Sequence, residues 1–231
     1  MTVTELSIAI IGGFIAGIIN TLAGNGSAIT LTILTEVLGL PPNLANGTYR
    51  VGVFTQTAAS SFAFYKGEKL ALNKQWQDIL VIALGEIVGV IIAINVSNEQ
   101  FKNFFGYMII VMLLVLLVLP KRWLQEADAS KRPSNWILFP LLFLLGIYGG
   151  FIQMGMGVFF LAITVLIARY ELIAANAIKS FVIALYTILV LGIFHWKGLV
   201  DWKVGFILTS GQTLGGYLTA RVASRYEKAN V

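Results

Sequence analysis

The stretch Ala16–Ser27, AGIINTLAGNGS, interrupts an apolar segment at a depth where an ordinary membrane helix would simply continue. Gly17, Gly24 and Gly26 lower helix propensity. Asn20, Thr21 and Asn25 put amides and a hydroxyl where lipid tails would offer them no partner. Irregular backbone at membrane depth is tolerated only where it is buried in protein or lines a cavity. The stretch therefore marks the expected functional centre of the chain.

Composition agrees. The chain has 231 residues, of which 58% are hydrophobic and 12% charged. Soluble domains carry about 25% charged residues, so half of the usual charge is missing. What remains falls mostly between long apolar runs, as in polytopic helical membrane proteins. The net charge of +5 then needs no nucleic acid, because membrane proteins collect Lys and Arg in cytoplasmic loops. With no Cys and only His195, disulfides, thiolate chemistry and His-cluster metal sites are excluded. No metal, cofactor or catalytic residue is expected. The N-terminus lacks the basic stretch of a signal peptide and is taken as the start of a retained span.

Nine apolar segments can be marked, at about 5–23, 27–40, 44–65, 76–96, 101–119, 136–152, 157–168, 174–195 and 201–222. The second and seventh reach only about 18–21 Å as helices, against a membrane core of about 30 Å. Each follows a glycine break, Gly24-Asn25-Gly26 or Gly155-Met156-Gly157. Short re-entrant or half-helices at mid-membrane are expected there, although full crossing is left open.

The two halves repeat. The breaks match each other, Ala45-Asn46 matches Ala175-Asn176, and Lys66-Gly67 matches Lys197-Gly198. Gly85-Glu86-x-x-Gly89 matches Gly211-Gln212-x-x-Gly215. The order gives two four-segment units, about 5–96 and 136–222, joined by a span at about 101–119 and a loop at 120–135. The whole chain is expected to be one all-α membrane domain. Four segments return the chain to its starting side and the odd fifth span flips the second unit, so the repeats are expected to be inverted, as is common in secondary transporters. Eleven basic residues then lie on one side and three on the other. The positive-inside bias puts the eleven in the cytoplasm, with the N-terminus outside and the C-terminus inside. Trp76, Trp123, Trp136, Trp196 and Trp202 lie at or beside span ends, as an aromatic belt does.

Arg50 and Lys179 lie within segments three and eight, at nearly equivalent repeat positions. Intramembrane cations are costly and usually face a cavity or a partner. Asn46 shares a helix face with Arg50, and Asn176 with Lys179. Two cations with amide donors, brought together by a pseudo-two-fold, suit a small anion; snorkelling to an interface is the structural alternative. Ser27 is placed to N-cap the short helix after the first break, which would leave a positive dipole end for an anion. Close packing through small residues is the alternative use of the glycines. Glu86 is the deepest acid and a candidate for carrying a coupling proton; pairing with Arg50 or with backbone is its alternative role. A Ser27–His195 dyad for hydrolysis needs the two within hydrogen-bond reach, and nothing in the spacing argues for that.

The residues Ile19–Gly26 (INTLAGNG), Gly39-Leu40-Pro41-Pro42, Ala45-Asn46 and Arg50 resemble the TauE/SafE family of membrane permeases. In the second half Tyr148-Gly149-Gly150-Phe151, Gly155-x-Gly157, Gly198–Trp202 and Gly211-Gln212-x-x-Gly215-Gly216 agree, so the resemblance covers about residues 8–224. It implies transport of small sulfur-containing anions, such as sulfite or organosulfonates, across a bacterial cell membrane. The sequence thus predicts an anion permease in which Asn20, Thr21, Asn25, Ser27 and Gln153 line the path. Arg50 and Lys179 supply the attracting charge, and Asn46 and Asn176 orient the substrate. A passive anion channel and, more remotely, an intramembrane hydrolase are the alternatives. The expected partners are a small anion and the lipid bilayer, with a homo-oligomer compatible and no nucleic acid.

Overall fold

The computed structural model describes residues 1–70, 76–118 and 133–228. All regular structure among these residues is helical, with no strand. The helices are α1 (Val3–Leu22), α2 (Gly26–Thr32, continued by a π-helical turn at Ile33–Val37), α3 (Pro42–Lys66), α4 (Trp76–Ala93), α5 (Asn98–Val118), α6 (Asn135–Phe151), α7 (Met156–Leu161, continued by a π-helical turn at Ala162–Ile167), α8 (Leu172–Trp196) and α9 (Trp202–Lys228). The order long–short–long–long thus occurs twice, with α5 between. Each short helix winds into a π turn before a proline- or glutamate-led restart. The basic loop around Lys121–Arg132, Lys74 and Trp123 fall outside the described residues.

Local chemistry sets the helix ends. Thr2 caps α1 through a reciprocal pair, in which its hydroxyl accepts from Glu5 N and the Glu5 carboxylate accepts from Thr2 N. Pro42 opens α3, where a missing N–H costs nothing. The sequence places the end of the last segment near residue 222, but α9 runs to Lys228, because the run from Ser224 to Lys228 is too polar to extend the apolar signal and still propagates the helix.

The long helices are apolar outside and carry buried polar side chains within an otherwise apolar core. Val3–Leu22, Trp76–Ala93 and Leu172–Trp196 are long and apolar enough to cross a membrane. Ile11, Ile15, Leu84, Ile91, Leu189 and Val222 lie on the exposed surface, while Asn46, Arg50, Gln56, Glu86, Lys179 and Gln212 are buried. Trp76, Trp136, Trp196 and Trp202 stand at or next to helix ends, where their amphipathic rings suit a headgroup layer. An apolar surface around buried charges is the reverse of what water favours, and lipid is the solvent that suits it.

The halves interlock: α1 packs along α9, α6 along α4, and α3 lies between α8 and α9. Both outer pairs are glycine seams with the same contacts. A Cβ on Gly17 would stand 2.2 Å from the Gln212 carbonyl oxygen, and one on Gly150 2.1 Å from that of Glu86. Gly211 meets the Ile10 carbonyl at 2.0 Å, and Gly85 that of Phe143 at 2.2 Å. Only glycine permits such backbone approach, and in lipid this packing replaces the hydrophobic drive between helices.

Candidate functional site

Two chain breaks form the centre. In the first, α1 stops at Leu22, Gly24 turns with φ +78°, and α2 starts at Gly26. In the second, α6 stops at Phe151, Gln153 and Gly155 both adopt positive φ, and α7 starts at Met156. The breaks are pressed together: a Cβ on Gly157 would lie 2.3 Å from the Gly24 Cα. Segments more than a hundred residues apart in sequence therefore share one spot.

The second break is held by α3. A helix leaves its last carbonyls without intrahelical partners, and here four consecutive ones find side chains. Arg50 donates from Nη2 to Gly150 O at 2.9 Å and to Gly149 O at 3.3 Å. Asn46 donates to Phe151 O at 3.0 Å, and the Tyr49 hydroxyl to Ile152 O at 2.7 Å. Arg50 also reaches Gln153 Oε1 (3.1 Å) from Nη1 and Asn46 O (3.2 Å) from Nε. Its guanidinium lies 5.0 Å from the Phe194 ring centroid, a further cation–π contact. At 0% exposure, Arg50 is a helix C-cap with its charge set against the negative end of α6.

The first break is held by α8. Lys179, 2% exposed, donates to Asn20 O and Thr21 O, each at 3.1 Å, and to Asn176 Oδ1 at 2.6 Å. Those three contacts match the three donors of an ammonium. Asn176 is oriented in turn by its own bond to Leu172 O. Each buried cation therefore sits at the break of the opposite half.

The polar side chains of the breaks form two matching clusters. Asn20 donates to Gln56 Oε1 at 2.6 Å, Gln56 donates to Thr21 Oγ1 at 3.0 Å, and Thr21 lies 3.3 Å from the Ser60 hydroxyl. Gln153 follows Gly150 by three residues, as Asn20 follows Gly17, and its amide donates to Tyr186 and Thr187, each at 3.4 Å. Ser27 links the breaks: its hydroxyl accepts from Gly155 N at 3.0 Å and donates to Gln153 O at 3.5 Å. That corrects the expected N-cap. The short helix starts one residue earlier, Asn25 occupies the cap position without a side-chain cap bond, and Ser27 turns to the other half. The Asn25 Oδ1 atom is buried without a partner.

Glu86 and Gln212 hold matching positions on α4 and α9 but face different partners, Glu86 a glycine of α6 and Gln212 a glycine of α3. Glu86 is 1% exposed and Gln212 0%, and among the described residues neither side chain makes a well-formed hydrogen bond. Each fills the space left by a glycine: Glu86 Oε1 lies 2.1 Å from where a Gly149 Cβ would be, and Gln212 Oε1 2.3 Å from that of Gly52. Arg50 and the Tyr49 and Tyr186 hydroxyls lie within electrostatic reach of Glu86. Glu86 makes no ion pair with Arg50. The exposed His195 accepts from Trp202 Nε1 at 3.1 Å, so it is engaged apart from the buried Ser27.

Gln56, Ser60, Tyr49, Tyr186 and Thr187 are the participants that the sequence reading leaves out. Tyr49, Gln56 and Ser60 share a helical stripe within an apolar segment, spaced by seven and four. That stripe is the signal that would have found them.

Gln153 is a non-glycine residue at φ +56°, a conformation costing roughly 1–2 kcal/mol. Its bonds hold it there. Gln153→Ala loses the bonds and keeps the strain, whereas Gln153→Gly loses the bonds and relieves it. Thermal unfolding in detergent should place the Gly variant above the Ala variant by about 1 kcal/mol. Equal midpoints would mean the left-handed turn is not kept.

The geometry defines a class: an integral membrane protein whose centre is a pair of broken helices, each capped by a buried cation from the other half. The chain belongs to the family described as sulfite exporter TauE/SafE, whose model matches residues 9–230. It is 28% identical over 225 residues to a probable membrane transporter protein, ORF9, of Sinorhizobium sp, covering 97% of this chain and 84% of that one. It is 29% identical over 219 residues to a probable membrane transporter protein of Haemophilus influenzae, covering 94% and 84%. With the probable membrane transporter protein YfcA of Escherichia coli it shares 26% over 210 residues, covering 90% and 77%. No solved structure matches the chain. It is a membrane transporter of this family.

Proposed function

We propose that this transporter moves a small anion, a sulfur oxyanion such as sulfite or an organosulfonate, across the cell membrane by alternating access. The chain would act as one membrane domain of two inverted repeats rocking about the paired breaks. The N-terminus would face outside and the C-terminus the cytoplasm. Asn20, Thr21, Asn25, Ser27 and Gln153 would line the path. Arg50 and Lys179 would draw the anion, and Asn46 and Asn176 would orient it. Glu86 would carry a coupling proton. The family description supports the substrate class.

One observation carries the reading: the contact of the two breaks at Gly24 and Gly157, with a buried cation on each. The cations hold carbonyls of broken helices, so they bias how the halves meet as well as the local potential. Movement at the contact would free donors toward an entering anion.

Proteoliposomes preloaded in turn with unlabelled sulfite, thiosulfate, sulfoacetate or formate, and offered the same anion labelled outside, test it. Saturable uptake of one sulfur anion, with counterflow, is the expected result, and a channel would give no counterflow. Arg50→Gln and Lys179→Gln should each reduce uptake at least ~10-fold, the worth of about 1.4 kcal/mol. Wild-type rates in both variants would refute their assignment.

A further inference from the structure

We propose that the shared end of α3 and α9 is a binding site for an anionic phospholipid, with the phosphate headgroup in a cationic cavity and an acyl chain in the groove beside it. The cavity, of about 380 Å³, is lined by Lys66 from the last turn of α3 and by Tyr217, Arg221 and Arg225 from one face of α9. Gly67 closes its back by packing against Ser224, with a would-be Cβ 2.5 Å from the Ser224 Cβ.

The three cations are uncommitted. Lys66, Arg221 and Arg225 are exposed, and among the described residues none pairs with a carboxylate or donates a side-chain hydrogen bond. Arg50 and Lys179 differ, since their donors are occupied by carbonyls. Lys66 is steadied only by the face of Phe62, 4.7 Å from its Nζ. A cavity of about 450 Å³ at the start of α3 is instead lined by one acid, Glu36, and one base, Lys102, and so offers an anion no net charge. Three cations that pair with no carboxylate among the described residues are thus gathered on this one cavity. Basic pockets between helices at a membrane surface suit anionic headgroups.

The groove argues for a lipid over a free anion. A neighbouring hollow of about 370 Å³ runs between α1 and α9, lined by Ile18, Leu22, Leu218 and Val222. It uses the same turns of α9 as the cationic cavity and is almost wholly apolar. Leu22, Leu218 and Val222 are largely exposed, so the wall is open along the bundle side. The two share no lining residue, but Arg221 and Arg225 of the cavity neighbour Leu218 and Val222 of the groove at i,i+3 spacing on the exposed face of α9, an arrangement that matches the charge and shape of a phospholipid. A soluble oxyanion would use only the first.

The full-length protein, purified in neutral detergent, is offered phosphatidylglycerol, phosphatidylcholine or soluble glycerol phosphate, and bound lipid is counted by native mass spectrometry. Each cation near an anionic surface contributes about five-fold in affinity, so three give roughly a hundred-fold preference for phosphatidylglycerol over phosphatidylcholine. K66Q/R221Q/R225Q should lose that preference. K102Q/K197Q/K203Q removes as much charge from exposed positions outside this cavity and should keep it. All six side chains are exposed, so both variants are expected to fold, and equal unfolding temperatures would establish this. Equal loss in the two variants would overturn the proposal in favour of general electrostatics. Displacement of the lipid by glycerol phosphate at equal concentration would overturn it in favour of a free-anion site.

Discussion

Gly157→Ala is expected to abolish accumulation of folded protein in the membrane, while Gly192→Ala leaves it unchanged. Both glycines are helical with ordinary φ, so the two substitutions differ only in what the new methyl meets. At Gly192 nothing lies within 4 Å; at Gly157 the Gly24 Cα lies at 2.3 Å and its carbonyl oxygen at 2.9 Å. Overpacking with a movable side chain costs typically about 1–3 kcal/mol. Here the obstacle is backbone, and the opposing residue is already glycine, so no smaller partner can make room. The two breaks must separate, straining the Ser27–Gly155 bond that joins them. A cost beyond ~3 kcal/mol is a large part of the ~5–15 kcal/mol that stabilises an ordinary native protein. Gly24→Ala should be at least as damaging, because φ +78° adds left-handed strain to the overlap. Expression with detergent unfolding checks the set. A Gly157→Ala protein that unfolds within a few degrees of wild type would show that the halves do not bear on each other there.

Much of this was legible in the residues. The glycine breaks, the short helices after them and the recurrence of four elements about a fifth all follow from where apolar runs stop and restart. The matched glycines of α4 and α9 were legible too, because close backbone approach is what glycine uniquely allows at a helix seam. What each buried cation touches was not. An arginine inside an apolar segment announces a partner, but a backbone carbonyl leaves no mark in sequence, and the carbonyls that hold Arg50 belong to Gly149 and Gly150 of the other half. Lys179 is a parallel case, since its nearest equivalent by repeat is Tyr49, and both end on carbonyls of a break. Ser27 was misjudged for a related reason. A serine after a glycine turn has the composition of a cap, and only the approach of the second break gives it the Gly155 N–H as a donor instead.

Glu86→Gln should leave substrate counterflow close to wild type while uphill accumulation driven by a proton gradient falls toward nothing. The substitution keeps shape and volume and removes only the proton that a carboxyl can gain or lose. The structure contains its own precedent for an amide in such a place. Gln212 holds the matching position on α9, buried against Gly52 and without a well-formed hydrogen bond among the described residues, as Glu86 is against Gly149. An amide against Gly149 is therefore expected to fold. The carboxyl stands beside Gly149, the same residue whose carbonyl Arg50 holds, so a change in its charge acts at the cap of the second break. Burying a carboxylate without a hydrogen-bond partner is costly, which ties its charge to any opening that admits water or an anion near Arg50. Intramembrane acids in transporters commonly serve as proton relays. The measurement is paired: counterflow at equal pH on both sides reports binding and movement, and accumulation under an imposed pH difference reports coupling. Loss of both together would make Glu86 a packing residue. Wild-type accumulation in Glu86→Gln vesicles would remove it from coupling altogether.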